Sequence, residues 1–422
     1  MAEVNNFYDE VTAIETDDTN AWSDTTCAVS GLAASTKYLI IAKALFGGNV
    51  DSDNYGMRVE TADDTTIESK SEARIEPTFV QNDELEPYFF VHSFTTDTSP
   101  DSVTIQTRSF DATALRIDQF SLLLIDLDDL GSANYFENIH ADDSVEYGLT
   151  FADTANLSAA DLGTTEEWLL LGYQRTGIGS GGRNFDIRLF AANDGASQVE
   201  MNYHAAEGED TNELRVVGVA GRHKATSNTA AAIQALEEAN AANHLNRGGY
   251  LIALKASAFA DFKFDFTAGS ISVTSPGETD LATITNYTPS TATNHLMVGR
   301  ANCADTDGNS RTSCTARIGS LQLMVQDIFT DQTQNWDATD REMITSAGLE
   351  DLPATQETFK LTAIRHPSDA DRNFEYRWLL MLNLEKADGA PPTGQPTPIR
   401  TFGVPTGAGK KNRAGGVHGG LI

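Results

Sequence analysis

The sequence has few cysteines, few basic residues and no long apolar run. Its 422 residues include three cysteines, and 29 lysines and arginines stand against 61 aspartates and glutamates. No apolar stretch approaches the roughly 20 residues that a membrane-spanning helix needs. Residues 1–6 also lack the basic and apolar regions of a secretory leader. We therefore expect a protein that is made in the cytoplasm without a signal peptide.

The low cysteine count argues against a disulfide framework, because an odd and small number of thiols cannot staple a chain of this length. Cys303 and Cys314 flank a turn-rich loop, and a hairpin could bring them together across two strands. Two alternatives follow, a Cys303–Cys314 disulfide or two reduced thiols. Reduced thiols are the expectation for a protein made in a cytoplasm.

The shortage of basic residues gives the chain a net charge of −32. Such a field repels phosphates, so the body of the protein is not expected to bind nucleic acid or an anionic membrane surface. We interpret the charge as a solubility device, suited to high ionic strength or to dense display of many copies. An ordinary acidic surface bias is the alternative.

Catalytic signatures are also missing. The sequence contains no Gly-x-Ser-x-Gly elbow, no His-Glu-x-x-His, no Walker loop and no Cys-x-x-Cys. Residues 177–182 match the letters of a Gly-x-Gly-x-x-Gly phosphate loop, but a strand-like run follows where a helix is required. The eight histidines are scattered and form no i, i+4 pair, which indicates structural roles. No organic cofactor is expected.

What the sequence does contain is a repeat, since three landmarks recur about 128 residues apart. The first landmark is an apolar run at residues 38–41, 168–171 and 295–298. The second is a Leu-rich run at residues 121–125, 250–254 and 378–382. The third is an arginine within a strand-like triplet, at Arg58, Arg188 and Arg317. One domain type built three times is the simplest explanation.

Short β-rich runs separated by turn residues are typical of antiparallel sandwiches and jelly rolls. We therefore predict an all-β fold with three tandem antiparallel β-sandwich, jelly-roll-like modules, short helical insertions and an extended C-terminal tail. The predicted boundaries are 1–131, 132–273, 274–389 and a tail at 390–422. Helix propensity predicts a helical insertion near 229–244 in the second module and another helix near 340–344 in the third. A mid-module strand is predicted at residues 88–91, 214–217 and 359–362.

Acidic loops provide the candidate metal ligands. Calcium prefers oxygen ligands from carboxylates and amides. In an EF-hand pattern starting at Asp305 the twelfth position falls on Ala316, so this loop is not an EF-hand. Weak Ca²⁺ binding and an ordinary Asx-turn loop both remain as interpretations. The candidate Ca²⁺ ligands are Asp305, Asp307 and Asn309 in the third module, with Asp51 and Asp53 in the first.

The four tryptophans divide into two pairs. Trp22 and Trp336 lie in polar surroundings and are candidates for an exposed platform that stacks on sugars. Trp168 and Trp378 lie within the apolar repeat strands and are expected in the core. A glycosidase would need two carboxylates about 5–10 Å apart, and the sequence does not locate such a pair.

The composition changes after residue 389, where a Pro-rich linker leads into a Gly-rich and locally basic end. A basic, flexible tail on an acidic protein could dock onto a neighbouring subunit and become ordered there. A disordered end without a role is the alternative. The candidate docking residues are Lys410, Lys411, Arg413, Leu421 and Ile422.

Tandem jelly-roll modules with an acidic body and an extended tail resemble bacteriophage virion structural proteins of the capsid decoration (cement) or tail and fibre type. The resemblance is architectural and spans residues 1–389. It implies a non-enzymatic protein that is made in the host cytoplasm and assembles as a homo-oligomer with a major capsid or tail protein. A tail or fibre protein that binds a host receptor or glycan is the first alternative. A polysaccharide-degrading enzyme is the second.

Overall fold

The structure is a computed structural model. It describes residues 2–11, 13–48, 53–62, 64–75, 84–98, 101–141, 148–178, 185–191, 203–204, 214–224, 230–237, 244–274, 277–289, 292–304, 311–318, 321–329, 341–365 and 372–387. Strands dominate these residues and all of the paired strands run antiparallel. The all-β fold predicted from the sequence is therefore confirmed.

The strands are numbered along the chain. They are β1 (Asn6–Val11), β2 (Glu15–Asp17), β3 (Ser23–Ser30), β4 (Lys37–Gly48), β5 (Tyr55–Thr61), β6 (Ala73–Ile75), β7 (Glu84–Thr95), β8 (Ser102–Ser109), β9 (Leu115–Asp126), β10 (Tyr135–His140), β11 (Ala152–Leu157), β12 (Glu167–Ile178), β13 (Phe185–Ala191), β14 (Tyr203–His204), β15 (Leu214–Lys224), β16 (Ala231–Glu237), β17 (His244–Lys255), β18 (Phe259–Thr267), β19 (Ile271–Val273), β20 (Thr279–Tyr287), β21 (Thr293–Ala304), β22 (Arg311–Ile318), β23 (Leu321–Phe329), β24 (Arg341–Leu352), β25 (Glu357–Arg365) and β26 (Arg372–Lys386).

Helices are short in the described part of the chain. They are α1 (Thr65–Ser71), α2 (Leu127–Leu130), α3 (Ala159–Leu162) and a 3-10 turn at Ala256–Ala258. None of these helices is long and apolar enough to cross a membrane. In α1 the side chain of Asp64 caps the first turn by accepting a hydrogen bond from the backbone N–H of Thr66 at 2.9 Å.

The same strand order occurs three times. One sheet of each copy has the order β1-β9-β4-β7, β10-β17-β12-β15 or β18-β26-β21-β24. The facing sheet has the order β3-β8-β5-β6, β11-β16-β13-β14 or β20-β25-β22-β23. In each copy the chain visits the two sheets in the same order, with one pair of consecutive strands in the facing sheet, which is the connectivity of an eight-stranded jelly roll. We refer to the three as the first, second and third copies.

Each landmark of the sequence repeat lies on the equivalent strand of its copy. The apolar runs at 38–41, 168–171 and 295–298 lie in β4, β12 and β21. The Leu-rich runs lie in β9, β17 and β26, which are hydrogen-bonded neighbours of those strands. The arginine triplets lie in β5, β13 and β22 on the facing sheets. The copied part of the sequence is therefore the pair of central strands and one strand of the facing sheet.

Burial explains why these runs form strands. In β3, polar and buried residues alternate, as expected for a strand with one face on a core. In β4, all residues after Lys37 are buried, so apolar residues occupy both faces. Both faces are covered because one face packs in the sandwich while the other meets the neighbouring copies. The largest apolar cluster accordingly includes residues of all three copies.

The copies are joined at three junctions. Strand β6 pairs with β15 through Arg74 and Leu214, so a sheet of the first copy continues into the second as eight strands. Thr345 in β24 donates a hydrogen bond to the carbonyl of Gly218 in β15 at 3.1 Å, which links the third copy to the second. The backbone N–H of Val4 donates to the carbonyl of Leu384 at 2.8 Å, which links the first copy to the third.

Two predicted helices are wrong. Residues 231–237, within the insertion predicted near 229–244, form β16, and the residues from 341 onward form β24. The alanine-rich segment has helix propensity, but β16 pairs with both β11 and β13 and buries Ala231, Ile233 and Ala235. Pairing and burial outweigh propensity, which amounts to only about 0.7 kcal/mol per residue at most for ordinary residues.

The prediction that residues 359–362 form the mid-module strand of the third copy is also wrong. Residues 88–91 and 214–217 lie in the equivalent strands β7 and β15. Residues 359–362 lie in β25, which is instead equivalent to β8 and β16. The true third equivalent is β24, which is the segment predicted to be helical. Strands β8, β16 and β25, which differ in sequence, are thus the same strand of the three copies.

Candidate functional site

Most of the predicted site residues lie outside the described part of the chain. Asp53 is described and lies half-buried just before β5. Within the described residues, no group of three or more His, Cys, Asp or Glu side chains could hold a metal ion. The predicted residues outside the described part are Asp51, Asp305, Asp307, Asn309, Trp336, Lys410, Lys411, Arg413, Leu421 and Ile422.

The thiols and the core tryptophans are placed more clearly. Cys303 is buried in β21, whereas the side chain of Cys314 is outside the described residues, so the expectation of two reduced thiols stays a prediction. Trp168 and Trp378 are buried, as expected from their apolar strands. The indole N–H of Trp168 donates a hydrogen bond to the carbonyl of Leu162 at 2.9 Å.

Trp22 is half-buried and packs against side chains of the first copy. The guanidinium of Arg58 lies 4.4 Å from the centre of the Trp22 ring, and Phe110 meets the ring edge-on at 6.3 Å. Gly56 makes room beneath them, because a Cβ there would lie 2.9 Å from Phe110 and 3.0 Å from Trp22. Arg74 and Arg108 each lie 4.3 Å from the centre of the Phe110 ring. Trp22 is therefore part of a packed cation–aromatic stack.

Arg58 begins a row of polar side chains that we name the polar ladder. Its Nε donates to Gln106 Oε1 at 2.8 Å, and Gln106 Nε2 donates to Asp24 Oδ1 at 2.8 Å. The row crosses β5, β8 and β3. Arg58 also lies 3.4 Å from Glu68 of α1. The arginine landmark of the repeat is thus the first member of a hydrogen-bonded chain across three strands.

The second copy contains the same ladder at equivalent positions. Arg188 Nε donates to Gln234 Oε1 at 2.7 Å, and Gln234 Nε2 donates to Asp153 Oδ1 at 2.6 Å. Phe151 takes the place of Trp22, two residues before the aspartate, with Arg188 3.7 Å from its ring centre. The arrangement of cation, amide, carboxylate and aromatic ring is therefore copied as a unit.

The third copy retains the carboxylate and changes the amide. Arg317 pairs in register with Lys360, the position that glutamine occupies in the other copies. Lys360 Nζ donates to Asp280 Oδ2 at 2.7 Å. Glu278 stands two residues before the aspartate, where the other copies have an aromatic residue. The polar ladder therefore holds three strands together in the first and second copies, and in the third copy an ion pair joins β25 and β20.

Replacing Arg58 by Met is expected to lower the free energy of unfolding by about 2 kcal/mol. The variant loses the cation over Trp22, the ion pair with Glu68 and the donor to Gln106, whose side chain is 6% exposed. Denaturant unfolding measures the change. Lys263→Met serves as the control: Lys263 is 48% exposed and pairs with Asp261, so its loss should stay within about 0.5 kcal/mol. Equal losses in both variants would contradict a stabilising ladder.

Polar groups are also buried between the first and second copies. Glu137 of β10 accepts a hydrogen bond from Tyr250 Oη at 2.7 Å and another from Lys37 Nζ. Burial by itself would raise the pKa of Glu137, but hydrogen bonds from Lys37, Tyr250 and Ser93 outweigh it and lower the pKa. The ionised carboxylate thus bridges a strand of the first copy and two strands of the second.

His92 packs beside this carboxylate. Its ring stacks on Tyr250 with 4.6 Å between centres, and Nδ1 donates to the carbonyl of Ser93 at 2.6 Å. Its Nε2 has no hydrogen-bond partner among the described residues. Burial lowers the pKa of His92 to about 4. The imidazole is therefore neutral at pH 7 and serves as a packing group between copies, as the scattered histidines suggested.

The polar ladder could have been found in the sequence, because its glutamines and aspartates recur with the repeat. Gln106 and Gln234, like Asp24, Asp153 and Asp280, follow the repeat spacing of about 128 residues. Glu137 and His92 at the junction of the first and second copies could not be found in this way, because the residues that they contact belong partly to another copy.

Comparisons with known proteins give no family. No family model matches the chain, and no curated protein matches it. Two solved structures of viruses are similar: "The Triple Jelly Roll Fold and Turret Assembly in an Archaeal Virus" (TM-score 0.21, 10% identity) and the Sulfolobus turreted icosahedral virus (TM-score 0.21, 9% identity). Each match covers 88% of this chain and 83% of the other.

A carbohydrate-binding structure is similar to the same low degree. The tandem CBM22 domains of Paenibacillus barcinonensis Xyn10C give a TM-score of 0.20 at 8% identity, covering 60% of this chain and 92% of that chain. Scores at this level assign neither a family nor an activity. The structural neighbours thus include both viral and non-viral proteins.

Proposed function

We propose that this chain is a structural protein of a virus particle that stabilises the particle through contacts between subunits. The observation that carries the proposal is the presence of three jelly-roll copies in one chain with a shared apolar core. Jelly rolls recur in viral capsid domains, where their sheets supply broad, rigid faces for packing. Here the sheets already pack against one another within a single chain.

The contacts between the copies support this role. Each junction combines buried apolar residues with backbone hydrogen bonds or buried polar groups, such as the Thr345–Gly218 bond and the Glu137 bridge. A protein that holds subunits together benefits when its domains cannot rotate independently of one another. The net charge of −32 supports dense display, since it keeps many copies soluble before assembly.

We further propose how the modules and the tail are arranged. Strands β18 and β19 pair with β26, so we place the start of the third module near residue 259, earlier than the 274 predicted from the sequence. The remaining proposed boundaries are 1–131 for the first module and 390–422 for the tail. We propose that the tail docks on an acidic neighbouring subunit through Lys410, Lys411 and Arg413, followed by Leu421 and Ile422.

The partners in this proposal are other virion proteins, a major capsid or tail protein, together with further copies of this chain. Capsid decoration is our preferred position on the particle. The glycan-binding alternative would use Trp22 as a platform, but Arg58 and Phe110 already pack on that ring. No contact of the described residues favours the alternative.

Mass spectrometry of purified particles from the natural source tests the proposal. We expect the protein at high copy number, tens or more per particle, and a loss of particle stability on heating when its gene is deleted. A variant that lacks residues 390–422 should fold normally but leave particles at least tenfold more readily, because multivalent attachment falls with each lost contact.

A charge-reversed tail provides the control. Lys410→Glu, Lys411→Glu and Arg413→Glu together should reproduce the effect of the deletion, since the proposed docking depends on basic charge. Substitutions of Lys263 and Lys360, which lie on the body, should leave attachment unchanged. Absence of the protein from particles, with a monomer that binds none of their components, would refute the proposed function. Normal attachment of the shortened protein would refute only the tail's role.

A further inference from the structure

An arginine is buried at the junction of the second and third copies. Arg300 lies in β21 and is 1% exposed. Its Nε, Nη1 and Nη2 atoms have no hydrogen-bond partner within the described structure. A guanidinium carries five N–H donors and remains charged in proteins. A charged group in this position requires an acceptor, because burial of an unpaired ion costs several kcal/mol.

The strand register shows what surrounds Arg300. On one side it pairs with Thr345 of β24, and on the other with Trp378 of β26. Residues paired in this way present their side chains on the same face, with Cβ atoms about 5 Å apart. The indole N–H of Trp378 also has no acceptor among the described residues. Two residues that are register partners on neighbouring strands therefore both carry buried donors without an acceptor among the described residues.

This row faces the second copy. Thr345 donates to the carbonyl of Gly218, and a Cβ built on Gly221 would lie 3.8 Å from Arg300 Nη1. Both glycines lie in β15. The same Cβ position lies 2.8 Å from Leu189 Cδ2, so the lack of a side chain at Gly221 lets β15 approach Leu189 and Arg300 closely. The guanidinium is therefore enclosed by strands of two copies.

None of the described residues supplies a counter-charge here. Burial alone lowers the pKa of Arg300 to about 9, and no carboxylate contributes to the change. This absence is notable in a chain with 61 aspartates and glutamates. The nearby Arg222 contrasts with Arg300, because it pairs with Glu167 and stacks on Phe264 at 3.7 Å.

We propose that a small inorganic anion of the halide class, such as chloride, binds between Arg300 and Trp378 and seals the junction of the second and third copies. The guanidinium supplies charge and two or more N–H donors, and the indole supplies another. The enclosed position disfavours a carboxylate from a partner molecule and any anion much larger than a halide. This site is independent of the proposed virion role, since it concerns the cohesion of the chain alone.

Thermal unfolding of the full chain tests the proposal in two salts of equal ionic strength. In sodium gluconate the bulky anion does not fit the site, whereas sodium chloride or bromide supplies the proposed ligand. Raising chloride to about 100 times its dissociation constant, with gluconate making up the difference, should raise Tm by about 3 °C. The rise should saturate. Identical Tm values at every ratio of chloride to gluconate would overturn the proposal.

Two variants separate the site from general salt effects. Arg300→Met has similar volume and no charge, so its Tm should not depend on the ratio of chloride to gluconate. In gluconate alone its Tm should exceed that of the natural protein, because it removes an unpaired buried charge. Arg222→Met is the matched control and should keep the full chloride response. An undiminished response in Arg300→Met would overturn the assignment.

Crystals grown or soaked in sodium bromide provide a measurement that requires no variant. We expect an anomalous difference peak about 3.3 Å from the nitrogen atoms of Arg300 and Trp378. A peak of this kind, together with the saturable Tm response, would establish the site. A solvent molecule without anomalous signal, or no density between the two side chains, would overturn the proposal.

Discussion

Acidification from pH 7 to pH 4 is expected to remove about 3 kcal/mol of folding stability through His92 alone. The unfolded chain binds a proton at this imidazole near pH 6.5, whereas the folded protein binds it only near pH 4. Stability from His92 is therefore complete above pH 6.5 and is lost as the pH falls towards 4. His223, whose pKa burial also lowers to about 4, and His295, whose pKa is lowered too, add losses of the same sign.

The variant His92→Phe isolates this contribution from the many carboxylates. Phenylalanine preserves a ring that can stack on Tyr250 but takes up no proton. The variant lacks the hydrogen bond to Ser93 at every pH, so this loss does not affect how the stability difference between variant and natural protein changes with pH. Denaturant unfolding should show the stability difference moving by about 3 kcal/mol in favour of the variant between pH 7 and pH 4. A difference that stays constant with pH would show that His92 titrates normally in the folded protein.

Gly218→Ala is expected to destabilise the protein by about 3 kcal/mol, the upper end of the range for overpacked cores. Gly218 lies in β15 where Phe89 of β7 packs on it. A Cβ there would lie 2.2 Å from Phe89 Cδ1 and 2.6 Å from Phe89 Cβ. Because Phe89 Cβ is fixed to the backbone of β7, a change of the Phe89 rotamer cannot relieve this contact. The first and second copies would have to separate, which also strains the bond from Thr345 to the Gly218 carbonyl.

A double-mutant cycle with Phe89→Ala measures this contact. Phe89→Ala alone should lower the free energy of unfolding by about 3–5 kcal/mol, because Phe89 is 3% exposed. In that background the methyl group of Gly218→Ala no longer meets a ring and only the 2.6 Å approach to the Cβ of residue 89 remains, so its additional cost should fall clearly below the cost of Gly218→Ala alone. Gly148→Ala is the control, since a Cβ at Gly148 has nothing within 4 Å. Additive losses in the double variant would contradict direct packing between the copies.

The repeat made the fold predictable because the copied strands are the most buried ones. Strand β4 is buried on both faces, so its apolar run stands out in the sequence and recurs in β12 and β21. Segments that gain their burial from two neighbouring strands were not predictable. Ala231 and Ile233 have little to distinguish them from helix residues until β11 and β13 flank them.

Sites built between copies could not be predicted from the sequence for a related reason. Arg300 meets Trp378 only because β21 and β26 pair in one register, with an irregularity in the pairing immediately beyond. Arg300 is then buried because β15 of the second copy packs over it. The polar ladder is different, since Arg58, Gln106 and their equivalents follow the repeat spacing, and a search for repeated polar residues would have found it.

The link between the first and third copies has a consequence for the order of the chain. The backbone N–H of Lys386 donates to the carbonyl of Ala2 at 2.9 Å, and Glu3 forms a β-bridge with Glu385. Asn294 is held in turn by the carboxylate of Glu3 at 2.9 and 3.0 Å. The beginning of the first jelly roll and the end of the last are therefore neighbours, and the three copies close into a ring. In a closed ring no copy is first, so gene fusion and circular permutation could begin the polypeptide at any of the three without altering which strands pair.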